Sequence, residues 1–265
     1  MLLVAPCSLA EGAGETHLTL AAWKDGDVTH SLSHSGFRNN LLSLLSQEDR
    51  AILQPHLEAI ELPKQFVIAE PDQPIQHVYF VETGLGSMVA RSPEGQEVET
   101  GIFGRDSVAP VSIVLGSDKT PHRHFMQVSG TGHRIEADKL VMAMNMSSSI
   151  GRLFLRYAQA FTTQTSFTAL SNAIHPLNER LARWILMSHD RCDSDDIPLT
   201  HEFLSLMLAV RRPSVTTALH VLEGNGFIRS ERGSVTVRNR RALEEFANDA
   251  YGKPEAEYRR LIGPL

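Results

Sequence analysis

Apolar positions along the chain change their period three times. Leu41, Leu44, Leu45, Ile52, Leu53 and Leu57 recur at helical spacing, and Ser46 is placed to cap a helix opening Gln47-Glu48-Asp49. This predicts a helical lead-in reaching to about Ile60. From Leu62 to Ile135 the pattern turns to short β-rich runs at 65–68, 77–81, 87–90, 97–102, 125–128 and 133–135. Pro71-Asp72, Thr83-Gly84, Pro93-Glu94-Gly95 and Gly130-Thr131-Gly132 punctuate them, and that spacing predicts an antiparallel roll, sandwich or barrel. From Ala137 the helical period returns. Ile150, Leu153, Phe154, Tyr157, Ala160, Phe161, Gln164, Thr168 and Ser171 carry it as far as Pro176, which breaks it. A helix that long needs a surface to bury its stripe. Its own domain could supply one. The helix outruns what a small β domain covers, which favours a second copy, with Ile150, Phe154, Tyr157, Phe161, Gln164 and Thr168 as the dimer seam.

A further helix follows Pro176, with Leu177, Leu181, Trp184, Ile185 and Met187 on one side, and an acidic loop from Asp193 to Asp196 closes it. The stretch from Leu199 to Ile228, LTHEFLSLMLAVRRPSVTTALHVLEGNGFI, carries most of the chemistry. Thr200 caps a helix whose apolar face is Phe203, Leu204, Met207 and Leu208. A tight connection at 209–212 leads to Pro213, well placed in a first helical turn because its missing N–H would be unpaired there. The second helix turns Val215, Ala218, Leu219 and Leu222 to one side. Pro213, Thr216, Thr217 and His220 lie on the other, with Arg211, Arg212 and Ser214 at its start. Two short helices and a tight turn make a helix-turn-helix, whose second helix suits a major groove. Strands around Glu231-Arg232-Gly233 would form a wing, with Arg229, Arg232 and Arg238 available to phosphates. An ordinary helical hairpin is the plainer reading; spacing, glycines, arginines and wing together favour DNA.

Composition narrows the classes. The chain has 265 residues, 42% hydrophobic and 21% charged, enough for two domains. Two cysteines, Cys7 and Cys192, make no disulfide framework and no four-cysteine iron–sulfur or zinc site. No apolar stretch is long enough to span a membrane and the N-terminus lacks a basic signal, so a cytoplasmic protein is expected. Net charge is −6, yet the 205–243 stretch holds seven arginines against two glutamates, a plausible footprint for a phosphate backbone. No P-loop, HExxH or Gly-x-Ser-x-Gly occurs, and no enzyme is expected.

Three stretches in this order, HVYFVETGLGSMVARSPEGQEVETGIFGRDS, LNERLARWILM and the helix-turn-helix quoted above, make residues 37–245 resemble the Crp/Fnr family of bacterial transcription factors. The resemblance implies an α+β chain: an antiparallel, cyclic-nucleotide-binding-like β-roll sensor, a long dimerisation helix and a C-terminal winged helix-turn-helix. It implies a homodimer on a palindromic double-stranded operator, in contact with RNA polymerase. The corresponding organisation is a flexible arm at 1–36, lead-in and β-roll at 37–145, dimerisation helix at 146–175, DNA-binding domain at 176–245 and a tail at 246–265. A signalling module with lost or non-specific DNA binding is the rival reading.

Family base-reading positions fall on Arg212, Pro213 and Thr217. Pro213 replaces an acidic residue and Thr217 an arginine found in members with the best-known operator, so a different operator is expected. Ala209 stands where a turn glycine is usual, and a left-handed backbone there costs about 1 kcal/mol. In the sensor, Asp106 follows Gly104-Arg105 where cyclic-nucleotide binders have glutamate after glycine, and Arg123 precedes His124 rather than a hydroxyl residue. Cyclic AMP is therefore not the expected effector. Gly104, Arg105, Asp106, His122 and Arg123 remain candidate contacts for another anion, with no cofactor assigned. His122, His124 and His133 read as surface or hydrogen-bonded histidines rather than haem ligands, and acidic neighbours should raise the Cys192 pKa and make the thiol less reactive.

Overall fold

The computed structural model describes residues 36–265. The arm expected at 1–36, and Cys7 with it, lies outside the described residues but for its last position. The lead-in is α1 (Asn40–Ser43) and α2 (Gln47–Leu53), the latter capped as expected by Ser46 Oγ, which accepts from Asp49 N at 3.0 Å. The helical reading stops short of Ile60. Pro55 sits in a single 3-10 turn, after which the chain extends into β1 (Glu58–Leu62). The β-roll continues as β2 (Val67–Ala69), β3 (His77–Val81), β4 (Leu85–Arg91), β5 (Glu97–Phe103), β6 (Arg123–Val128) and β7 (Gly130–Glu136).

Two antiparallel sheets, β1-β7-β3 and β2-β6-β4-β5, close on Leu62, Val81, Phe103 and Met126. Two glycines read as a break are strand residues instead. Gly130 pairs with Leu62, and a Cβ there would lie 1.8 Å from the Thr83 carbonyl oxygen; Gly132 packs its backbone on that of Phe80. Glycine here serves close approach between strands, not a turn. Phe103 pairs with Gly86, and a Cβ on Gly86 would meet its ring at 2.0 Å, so the phenyl group fills the roll where a side chain is missing.

Then come α3 (Ala137–Met146), α4 (Ser148–Ile174) and α5 (Leu177–His189), separated at Pro176 as expected. A short strand β8 (Asp196–Ile197) follows, in what reads as an acidic loop. It pairs with β10 (Ser234–Val237) in a third sheet, β8-β10-β9, whose β9 spans Ile228–Glu231. The helix-turn-helix is α6 (His201–Leu208) and α7 (Arg212–Gly224), and the wing is β9 (Ile228–Glu231) and β10 (Ser234–Val237). After α8 (Arg240–Ala247) the chain returns to the roll as α9 (Lys253–Leu261), a packed helix where the sequence reads as a tail. Among the described residues no helix is long and apolar enough to cross a membrane.

The β2-β6-β4-β5 sheet is covered on both faces. Met88 turns inward, while Leu85, Val89, Ile102 and Phe125 share one core with Trp184, Phe203, Leu204 and Met207 of the C-terminal half. The Phe125 and Phe203 rings stack at 6.4 Å between centroids. This face explains why β4 is buried at five consecutive positions.

The expected seam on α4 requires correction. Ile150, Phe154, Tyr157, Phe161, Gln164 and Thr168 are all buried within the protomer. Phe154 packs on Phe80, and Gln164 Oε1 accepts from Ile102 N at 2.9 Å. The chain's own β-roll and α9 cover that stripe within the protomer. The helix has a second, open face: Leu155, Gln159, Thr162, Ser166, Ala169, Leu170 and Ala173 are exposed along it.

Candidate nucleic-acid interface

Each part of the helix-turn-helix follows from local chemistry. Thr200 Oγ1 accepts from Phe203 N at 3.3 Å and starts α6. Ala209 ends it in the left-handed region, φ 51° and ψ 44°, as the tight turn requires. Pro213 lies in the first turn of α7. Val215, Ala218, Leu219 and Leu222 are buried, while Arg211, Arg212, Pro213, Thr217 and His220 are exposed and Ser214 and Thr216 half-buried. The face expected to be free is free. Gly233, at φ 89°, turns the wing and sets Arg229 and Arg232 on the surface.

Between the start of α6, α7 and the wing lies an open groove of about 770 Å³, whose walls include Thr200, His201, Arg212, Thr216, His220 and Arg232. His201 was not among the expected contacts. Its Nδ1 lies 3.2 Å from Thr216 Oγ1, and the cap at Thr200 is the sequence signal that places it at the groove edge. The groove also holds carboxylates. Glu202 lies 3.3 Å from Arg212 with both side chains mostly exposed, Glu231 lies 2.8 Å from Arg229, and Glu223 accepts from Ser230 N at 3.0 Å. The basic stretch is smaller than its count. Arg240 points inward to Asp190 at 2.6 Å and Tyr251 Oη at 2.8 Å, and Arg241 pairs with Glu245. Arg238 is exposed.

The expected effector residues do not converge, which corrects that reading. Phe103, just before Gly104, pairs with Gly86, whereas Arg123 pairs with Val89, three residues or about 10 Å along β4. Arg105 donates to Asp193 at 2.6 Å and to the Asp190 carbonyl at 3.1 Å, and Arg38 binds the same Asp193 carboxylate. Asp106 is buried against Arg191 at the end of α5. Beside it, among Tyr157, Gln164, Glu255 and Tyr258, only about 10 Å³ is left, room for no more than one water. Arg123 lies 3.5 Å from Glu70 and over the Phe125 ring, and His122 stays close to Thr120. Burial holds His124 neutral, its pKa pushed down to about 4. Burial, more than the acidic neighbours invoked from sequence, pushes the Cys192 thiol up.

Comparison with known proteins agrees with this geometry. Residues 179–246 match the Crp-like helix-turn-helix domain. A search of curated proteins finds no match. A putative Crp/Fnr-family transcriptional regulator from Eubacterium rectale is similar in structure, with TM-score 0.60, 17% identity, and coverage of 77% of this chain and 95% of that one. FixK2 from Bradyrhizobium japonicum gives 0.63 and 16%, covering 72% and 96%. CLP of Xanthomonas campestris, a c-di-GMP-responsive global regulator, gives 0.58 and 16%, covering 72% and 99%. The chain thus has the Crp/Fnr fold, a β-roll joined to a Crp-like helix-turn-helix.

Proposed function

We propose that this chain is a sequence-specific, DNA-binding transcription regulator of Crp/Fnr type that acts as a homodimer on a palindromic operator. One observation carries the reading: α7 buries its apolar side and leaves Arg211, Arg212, Pro213, Thr217 and His220 open beside a wing bearing Arg229 and Arg232. Arginines at the start of such a helix suit guanine O6/N7 or phosphate, and proline and threonine offer apolar contact to thymine methyls. The absence of an acid at Pro213 removes an acceptor for cytosine N4.

The homodimer would form through the open face of α4. Leu155, Gln159, Thr162, Ser166, Ala169 and Ala173 recur at three- and four-residue spacing, and the small residues let two helices approach closely. Cyclic AMP has no place in this reading, because Arg191 already satisfies Asp106 and the adjoining gap is closed. RNA polymerase is the further partner by likeness to the family, no catalytic role is assigned, and the cytoplasm is the compartment.

Fluorescence anisotropy against a panel of family-type palindromes, at stated salt, tests the proposal. Nanomolar-range binding to one palindrome, weakened at least several-fold by R211A/R212A, is the expected result. Equal, weak binding to every duplex would favour the rival signalling module.

A further inference from the structure

The contact between the β2-β6-β4-β5 sheet and α6 has an apolar core, and three buried polar side chains of the sheet intrude on it. Glu99 of β5 is fully buried, and neither of its carboxyl oxygens has a hydrogen-bond partner. It pairs across the ladder with Val89, which lies in the core shared with Phe203 and Met207. Ser87 and Gln127 are the buried polar neighbours. Ser87 Oγ donates to Gln127 Oε1 at 3.0 Å, and Gln127 Nε2 approaches Met207 Sδ at 3.4 Å. Ser87 gives its proton to Gln127 in this geometry, yet its hydroxyl is the one group near enough to turn to the Glu99 carboxyl. A bare carboxylate in this place would be far costlier than the neutral acid.

None of the charged groups on the surrounding elements bonds Glu99, although Arg180 Nε and Arg183 Nε and Nη1 are buried without partners. Arg91 and Glu97 pair at the outer end of the β4–β5 hairpin, at 2.6 Å. On α6, Glu202 is exposed beside Arg212, and His201 borders the DNA-side groove. On α5, Arg180 donates to the Leu208 carbonyl at 2.6 Å and Arg183 reaches the Gln164 carbonyl at 3.5 Å. Lys64 lies over the Phe203 ring, and on β6 Arg123 pairs with Glu70. Burial raises the Glu99 pKa from 4.5 to about 8, and only Ser87 opposes it.

We propose that Glu99 is a proton-operated lock between the β-roll and the helix-turn-helix: protonated, it allows α6 to seat on the sheet; ionised, it favours the undocked state. The sign follows from proton linkage. The docked form keeps a proton that the released form gives up between pH 4.5 and about 8. The stabilisation is complete below 4.5, declines as pH rises, and is gone by about 8, where both forms are ionised.

Amide hydrogen exchange of the full chain, corrected for intrinsic exchange rates, reads the opening of α6 without any DNA. Its outcome is therefore independent of the proposed operator binding. The opening constant should climb roughly tenfold per pH unit from pH 5 and level off near 8. E99Q should remove that slope, and S87A should move the plateau to higher pH. A flat wild-type profile, or the same slope in E99Q, would overturn the proposal. Should E99Q fail to fold, S87A decides: an unmoved plateau overturns it.

Discussion

Asp106 and Arg191 meet across the boundary between β-roll and α5 through two charge-assisted hydrogen bonds of 2.5 and 3.0 Å, each side chain only 4% exposed. The aspartate expected to face an effector is thus held by the chain's own guanidinium. Tyr258 of α9 adds a bond from its hydroxyl to the Asp106 carbonyl, at 2.9 Å.

Removing one member of this pair leaves a charge buried. D106A should cost about 3–5 kcal/mol in urea unfolding. The double variant D106L/R191M should recover most of that loss, because no uncompensated charge remains. Additive losses would show that the pair contributes little coupling.

Glu202 shares Arg212 with whatever binds the groove. E202Q should tighten DNA binding several-fold at low salt and leave the melting temperature unchanged, since so exposed a pair adds little to stability. Anisotropy and a thermal melt on the same sample check both halves.

Ala209 holds a left-handed conformation without the freedom of glycine. It is exposed, so replacing it forfeits no packing. A209G should raise stability by about 0.5–1 kcal/mol, or a few degrees in Tm, with unchanged DNA affinity. Lower stability would mean that the unfolded chain's added entropy outweighs the relief.

The two faces of α4 should respond differently. F154A opens a cavity inside the protomer and should cost about 3–5 kcal/mol. L155E/L170E should leave the protomer folded and turn a sedimenting dimer into a monomer. A stable monomer in the wild type would overturn the assigned dimer face.

The DNA-binding half was the most legible part of the sequence. Its caps, turn and faces depend on neighbours within a few residues, and Thr200, Pro213 and the buried stripe from Val215 to Leu222 follow from that alone. The strands of the roll were legible where they alternate. They were missed where a long-range partner decides, as at β1, β8 and the close-packed Gly130 and Gly132. The α4 stripe was read correctly as buried but given the wrong cover, because nothing local announces that α9 folds back upon it. The basic count misled for a related reason: Arg240 finds Asp190 fifty residues away.

The return of α9 to the roll means that the backbone crosses between the two halves twice, once after Ile174 and again before Lys253. A body hung on a single strand of chain can swivel freely; one moored at two points is held to motions that both moorings allow. The release of α6 from the sheet therefore leaves the DNA-binding half tethered through α5 and through the Tyr258 mooring rather than free to swing away.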